Sequence, residues 1–194
     1  MLLNKQIKER TCKVCRVKFI PLKPLQVVCG LRCAQSYAWR VKTKTEVDQA
    51  KAERKEIKAK RESIKTRAQW MREAQTAFNQ FIRLRDQLAG HPCISSGQPL
   101  DWSGNNVDAG HYRSRGSAPH LRFDERNCHA QSKKDNRYLS GNAVDYRIGL
   151  IARIGLEAVE SLEADQTPKK YTIAELRAIK AHYVAKLKEM KNAN

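Results

Sequence analysis

Three side chains in the middle of the chain have the types and order of a hydrolytic site: His111, Asn127 about sixteen residues on, and Asn136 beyond it. A histidine on a strand or its loop can take a proton from water, because an imidazole titrates close to neutral pH. An asparagine offers both a donor and an acceptor, so it can pin the loop that aims the histidine. A third side chain at the start of the following helix can help to hold a divalent cation. The bond such a set would break is a phosphodiester. Attack on an anion requires charge to be neutralised on the non-bridging oxygens and the leaving group, after which a neutral imidazole suffices as base. Asp108 is the first choice for the carboxylate ligand, Asn136 the second ligand, and His129 a further candidate ligand or phosphate contact. The bland alternatives are a loop histidine at 111 and a structural one at 129; His91 and His120 read as non-catalytic. Arg113, Arg115, Arg122, Lys133 and Lys134 lie among these residues and are the candidates for phosphate contact.

A second constellation precedes it. Cys12-Lys-Val-Cys15 and Cys29-Gly-Leu-Arg-Cys33 form two close pairs separated by a short segment that contains Pro21 and Pro24. A CxxC turn presents two thiolates to one side of a metal, and a second pair completes a tetrahedron, the geometry of structural Zn²⁺. A closed four-cysteine site has no open coordination position, so its role would be folding and presentation. Lys13, Arg16, Lys18, Lys23 and Arg32 around it suit phosphate contact.

The elements that must position these groups follow from composition. The expected architecture is α+β in four regions: a zinc-binding module over 1–37, a long basic helix over 38–89, a nuclease-like core over 90–145 and C-terminal helices over 146–194. Residues 38–89 lack Gly and Pro and are rich in Ala, Lys, Arg, Glu and Gln, which favours one uninterrupted helix. Ala50, Ile57, Ile64, Met71 and Phe78 recur every seven residues, a thin seam that suits a homodimer or a basic arm lying along DNA. From Trp70 to Leu88 apolar density rises, and packing on the neighbouring region is expected instead. Residues 90–145 are rich in Gly, Ser, Asn and His, with short strand-like pieces. Thr172-Ile-Ala-Glu175 has capping-box spacing, and Ile173, Leu176, Ile179, Tyr183 and Leu187 follow it at helical intervals. That stripe reads as packing, and His182 as a surface or packing histidine.

Of 194 residues, 38 are Lys or Arg against 20 Asp or Glu, a formal charge of +18. Such a chain repels itself unless a polyanion is present, and nucleic acid is the usual one. A merely basic or ribosome-associated protein is the composition-level alternative. No apolar run reaches membrane-spanning length, and no long apolar face suits a membrane surface. Met1 to Arg10 is charged, so no signal peptide is read and a reducing cytoplasm is expected, where six cysteines are better metal ligands or buried thiols than bridges.

Gly110-His111-Tyr112-Arg113-Ser114, Ala118-Pro119-His120-Leu121-Arg122-Phe123, Asn127-Cys128-His129-Ala130-Gln131 and Leu139-Ser140-Gly141-Asn142 resemble the NinG family of phage recombination proteins. The resemblance runs from about residue 10 to 165 and is most specific between His111 and Asn142. It implies an HNH, or ββα-metal (His-Me finger), endonuclease that cuts branched DNA such as Holliday junctions and D-loops with Mg²⁺ or Mn²⁺. It also implies the host cytoplasm as location and other phage recombination proteins as partners. The motif is similar to that of phage junction resolvases, which likewise ends in Asn. A junction has two symmetric strands to cut, so a homodimer is the economical assembly.

Two departures accompany the resemblance. Family members place a CxxC before the histidine motif and another before the final Asn, making a second zinc site. Here those places read Cys93-Ile-Ser-Ser96 and Ser132-Lys-Lys-Asp135. Cys128 adds a thiol nearby, but two do not replace four, so packing or hydrogen bonds are expected to hold this region without zinc. The usual ligand immediately before the base is also replaced, by Gly110, and Asp108 lies three residues away. The leading rival is therefore a non-catalytic DNA- or RNA-binding recombination accessory on a degenerate HNH scaffold. A zinc-dependent adaptor would need an exposed apolar patch that the sequence does not show.

Overall fold

The computed structural model describes residues 8–193. The chain divides into two compact units, one ending at Ile64 and the other starting at Lys65.

In the first unit, β1 (Arg10–Thr11) pairs antiparallel with β2 (Lys18–Phe19), Arg10 facing Phe19. A turn-rich segment then leads into α1 (Leu31–Ser63), which begins just before Cys33. No residue of α1 is buried. Its Ala, Lys, Glu and Arg content sustains it through local propensity rather than packing.

The expectation of one helix over 38–89 is corrected here. The helix ends at Ser63, and α2 (Arg67–Leu88) starts afresh. Thr66 caps the new helix: its hydroxyl accepts the Gln69 N–H at 3.3 Å, and the Gln69 side chain accepts the Thr66 N–H at 2.7 Å. These reciprocal bonds satisfy donors that a continuous helix would have used internally, so helix is restarted rather than propagated. The seven-residue series is thereby split: Ile57 and Ile64 are exposed, whereas Phe78 is fully buried.

The second unit builds three small cores, two of them on α2. Phe78, Phe81 and Ile82 pack with Cys128 and with Tyr183 of α5 (Ile173–Asn192). Trp70 and Ala74 pack with Tyr171 and Leu176. A third cluster joins Ile94 and Leu121 to Tyr146 and Leu150 of α3 (Ala143–Ile154) and to Val159 and Leu162 of α4 (Leu156–Ala164). The packing expected from Trp70 onward and the Thr172–Glu175 capping box are both present.

Between α2 and α3 lie two antiparallel strands, β3 (Val107–His111) and β4 (Cys128–Ser132), with His111 opposite Cys128, Gly110 opposite His129 and Asp108 opposite Gln131. The loop joining them contains two short 3-10 turns, and β4 runs into a wide helical turn, Lys134–Tyr138. Residues 90–145 therefore do not form a core alone; α2, α3 and α5 complete it. Among the described residues no helix is long and apolar enough to cross a membrane.

Candidate active site and metal centre

In the first unit the sulfurs of Cys12, Cys15, Cys29 and Cys33 all lie within 4.8 Å of one another. Cys15 and Cys29 are 3.5 Å apart, Cys29 and Cys33 3.7 Å. A tetrahedron with Zn–S bonds of ~2.3 Å separates its sulfurs by about 3.8 Å, so the quartet is close to the size that zinc requires. The first pair sits on a tight turn: the Cys12 N–H donates to the Val17 carbonyl and the Arg16 N–H to the Cys12 carbonyl, with Arg16 at a positive φ of 65°. Burial pushes the Cys12 thiol up, but backbone N–H groups of Cys15, Val14 and Cys29 outweigh it and bring the group down to about 6. A sulfur so surrounded by donors is prepared for the thiolate form that a metal requires.

In the second unit, strand β3, the loop after it, α2 and the turn after β4 line a cleft of about 490 Å³. Asp108, His111, Arg115 and Asn136 all line it, together with Asn79, Arg83, Arg137, Ser140 and Gly141. Four candidate residues of the sequence motif are thus brought to one place.

The imidazole of His111 is oriented from behind. Its Nε2 lies 3.0 Å from the Arg122 carbonyl, which places the proton on that nitrogen and leaves Nδ1 as the acceptor. The Cys128 thiol, a weak donor, lies 3.6 Å from Nδ1, and the Phe78 ring centroid is 5.9 Å from the imidazole's. Burial pushes the His111 pKa down from 6.5 to about 4; the Arg122 carbonyl works the other way, and the Arg115 and Arg122 charges add to the fall. The imidazole is therefore neutral at physiological pH, as a base must be.

Asn127 explains how the Arg122 carbonyl arrives there. Fully buried, its side-chain oxygen accepts the Arg113 N–H at 2.8 Å, while its amide donates to the Arg113 carbonyl at 3.0 Å and the Leu121 carbonyl at 3.1 Å. One side chain thus ties the start and the middle of the β3–β4 loop together.

Asp108 and Asn136 also meet, the Asn136 amide donating to the Asp108 carboxylate at 2.9 Å. Arg137 forks the same carboxylate at 2.6 and 3.0 Å. Burial pushes the Asp108 carboxyl up, but the hydrogen bonds from Arg137 and Asn136 hold it below the usual carboxylate range. Turned over, the Asn136 amide would present its oxygen beside the same carboxylate. Asp108 is the one carboxylate in the lining and is already paired with Arg137, so Asp108 and Asn136 could hold a divalent cation only if the exposed Arg137 swings aside.

Gly110 is fixed by packing. A Cβ there would lie 2.1 Å from Oε1 of Gln131, a buried residue whose amide is tied to Ser95 Oγ at 2.7 Å and the Gly141 carbonyl at 2.8 Å. No side chain, ligand or otherwise, fits immediately before His111 while Gln131 stays in place.

His129 is not brought to the cleft, which corrects its reading as a ligand. It is buried against Arg85 at 3.0 Å and Asp86 at 3.7 Å, and its Nε2 faces the Arg126 carbonyl at 3.1 Å. Burial first, then the nearby arginines, push its pKa to about 4, so it is a neutral packing residue. Asp86 is the hub of this cluster, accepting the Ala130 N–H at 2.6 Å and pairing with Arg85. The only trace of that hub in the sequence is an adjacent Arg85–Asp86 pair late in an amphipathic helix.

The positions of the missing second zinc site also converge. Cys93 Sγ donates to the Asp135 carboxylate at 3.3 Å, Ser132 Oγ donates to the same oxygen at 2.6 Å, and Ser96 bonds Asp135 as well. The local turn repeats that at Cys12: the Cys93 N–H donates to the Gln98 carbonyl, the Gly97 N–H to the Cys93 carbonyl, and Gly97 has a φ of 66°. A hydrogen-bonded knot occupies the place of a metal knuckle, immediately before Asn136.

Of the remaining basic candidates, Arg115 is exposed beside the cleft, and Lys134 is exposed and Lys133 half-buried just past β4. Arg113 is committed elsewhere, its guanidinium donating to the carbonyls of Leu162, Glu163 and Asp165 at the end of α4. Arg83 and Arg137 line the cleft although no motif marks them; Arg137 is signalled only by directly following Asn136.

A family model described as Bacteriophage Lambda NinG protein matches residues 4–193. The NinG proteins of Escherichia phage 933W and Enterobacteria phage VT2-Sa are each 48 % identical over 129 residues, covering 66 % of this chain and 61 % of theirs. That of Escherichia phage lambda is 47 % identical over 129 residues, 66 % of this chain and 60 % of its own. The resemblance in the His111–Asn142 block is close enough to suggest the lambda protein itself; at this identity the chain is instead a distinct relative. The match spans about three fifths of the length of these curated relatives. No solved structure matches the chain.

Proposed function

The chain belongs to the NinG family, and from that premise we propose that it is a metal-dependent endonuclease of phage recombination that cuts branched DNA, with His111 as general base. The observation that carries the proposal is the Asn127 clamp. It sets the Arg122 carbonyl against His111 Nε2 and so holds a neutral imidazole in the wall of a cationic cleft.

In this reading a DNA strand lies across the cleft, its phosphate drawn by Arg83 and Arg115. Water adds to phosphorus, its proton passes to the neutral His111 imidazole, and the P–O bond to the leaving sugar oxygen breaks. Asp108 and Asn136 would hold a Mg²⁺ or Mn²⁺ ion, which when bound supplies neutralisation of charge on the phosphate and leaving group. Asn127 is a positioning residue, acting through the loop. The Cys₄ centre, loaded with zinc, would be structural. A homodimer through α1 suits two-strand cutting, and that helix exposes Leu31, Trp39, Val41, Val47 and Ile57 as apolar surface for it.

A second reading, a non-catalytic protein that binds branched DNA or RNA, is favoured by one contact: Arg137 already neutralises Asp108. Incubation of the zinc-loaded chain with a labelled four-way junction and a matched linear duplex, with Mg²⁺ or Mn²⁺, separates the two. Metal-dependent, junction-selective cutting supports the nuclease; tight junction binding without cutting under either metal leaves the binder.

A further inference from the structure

The second unit carries another groove beside the β3–β4 loop, lined by Arg67, Arg72, Arg122, Lys169, Lys170 and Tyr171 among others, with no carboxylate in its lining. Lys169 is paired with Glu175. Arg67, Arg72 and Lys170 are exposed and have no ion-pair partner among the described residues. Among the described residues Arg122 meets neutral acceptors, its guanidinium donating to Gln75 Oε1 at 3.2 Å and the Arg115 carbonyl at 3.3 Å. Four cations thus converge without compensation, an arrangement whose self-repulsion is relieved only by an anion.

The groove is coupled to the cleft through one residue. The backbone carbonyl of Arg122 receives His111 Nε2 at 3.0 Å, while Arg122 is also one of the residues that line this groove. The loop that aims the candidate base is therefore also the wall between two cationic depressions, one holding Arg83 and Arg115, the other Arg67 and Arg72.

We propose that this groove binds the sugar–phosphate backbone of the DNA arm flanking the strand in the cleft. The proposal takes the identity of the polyanion from the DNA-cutting reading and rests on it for that alone. A duplex carries one charge per ~1.7 Å, so an arm continuing past the cleft presents phosphates to successive side chains of the groove. Because Arg122 bridges the two depressions, engagement of the arm bears directly on the carbonyl that orients His111.

The test compares the full zinc-loaded chain with Arg72→Gln/Lys170→Gln and with a charge-matched control on α5, Lys188→Gln/Lys191→Gln. Anisotropy of a labelled four-way junction, across a salt series without added Mg²⁺ or Mn²⁺, reads binding in the absence of cutting; matching thermal melts establish that the variants fold. The groove variant is expected to bind tenfold or more weakly at moderate salt. Its log–log salt slope should fall by about two, at about 0.9 for each phosphate no longer neutralised, with the control changing less than twofold. Equal losses in both variants, no loss in the groove variant, or equal loss of binding to poly-glutamate would each overturn the proposal. A junction held through the groove but never cut contradicts the nuclease reading alone. Normal cutting with unchanged groove-variant binding contradicts the groove alone.

Discussion

His111 is useful because of what surrounds it rather than because it is a histidine. Buried and flanked by arginines, it stays neutral down to about pH 4. The pH profile of cleavage should accordingly lack an acidic limb near 6.5; a limb there, measured under saturating metal, would mean that His111 titrates as an exposed imidazole and is not held as described. Asn127→Ala leaves three loop groups without their partner and should destabilise the second unit by about 2–3 kcal/mol while slowing cutting at least tenfold. Unchanged single-turnover rates in a folded Asn127→Ala chain would remove its positioning role. Gly110→Ala places a Cβ against Gln131; a lowered melting temperature, partly restored when Gln131 is shortened to Ala in the same chain, is the expected coupling, and two independent effects would deny the contact.

Elements decide how much of this is legible in the sequence. The Cys12–Cys33 quartet is readable because metal ligation demands fixed residue types at fixed spacing; the His111–Asn127 pair is readable because tying the loop backbone takes a side chain that both donates and accepts. The break at Thr66 is hidden because helix propensity around it is uniform; Thr66 and Gln69 carry the capping signal, but the seven-residue pattern running through it outweighs them. His129 goes to Asp86 because strand register, not spacing, decides which side it faces. The knot at Cys93, Ser96, Ser132 and Asp135 is legible only as a loss of cysteines, since hydrogen bonds leave no such signature. Its turn matches the Cys12 turn bond for bond. Ser96→Cys, Ser132→Cys and Asp135→Cys together should therefore raise bound zinc from one to two per chain, counted by metal analysis; one zinc per chain in the folded triple variant would show that the knot lacks knuckle geometry.

At the scale of the whole molecule, charge and protonation set the working conditions. His111 and His129 are both depressed to about 4 from 6.5. Between those values the unfolded chain binds more protons than the folded one, so their contribution is complete above about pH 6.5 and declines as pH falls toward 4. The melting temperature of the second unit should drop over that window, and less steeply in His129→Gln; a flat profile would place both imidazoles in solvent. The +18 formal charge makes every affinity for a polyanion steeply salt-dependent.

The central claim is that His111 takes the proton from water. Its most direct test is single-turnover cutting of a labelled four-way junction by wild type and by His111→Ala, with and without added imidazole, at junction concentrations where both bind fully. The account predicts a loss of 100-fold or more with junction binding intact, and partial recovery by imidazole as neutral base. Cutting by His111→Ala at the wild-type rate would contradict it.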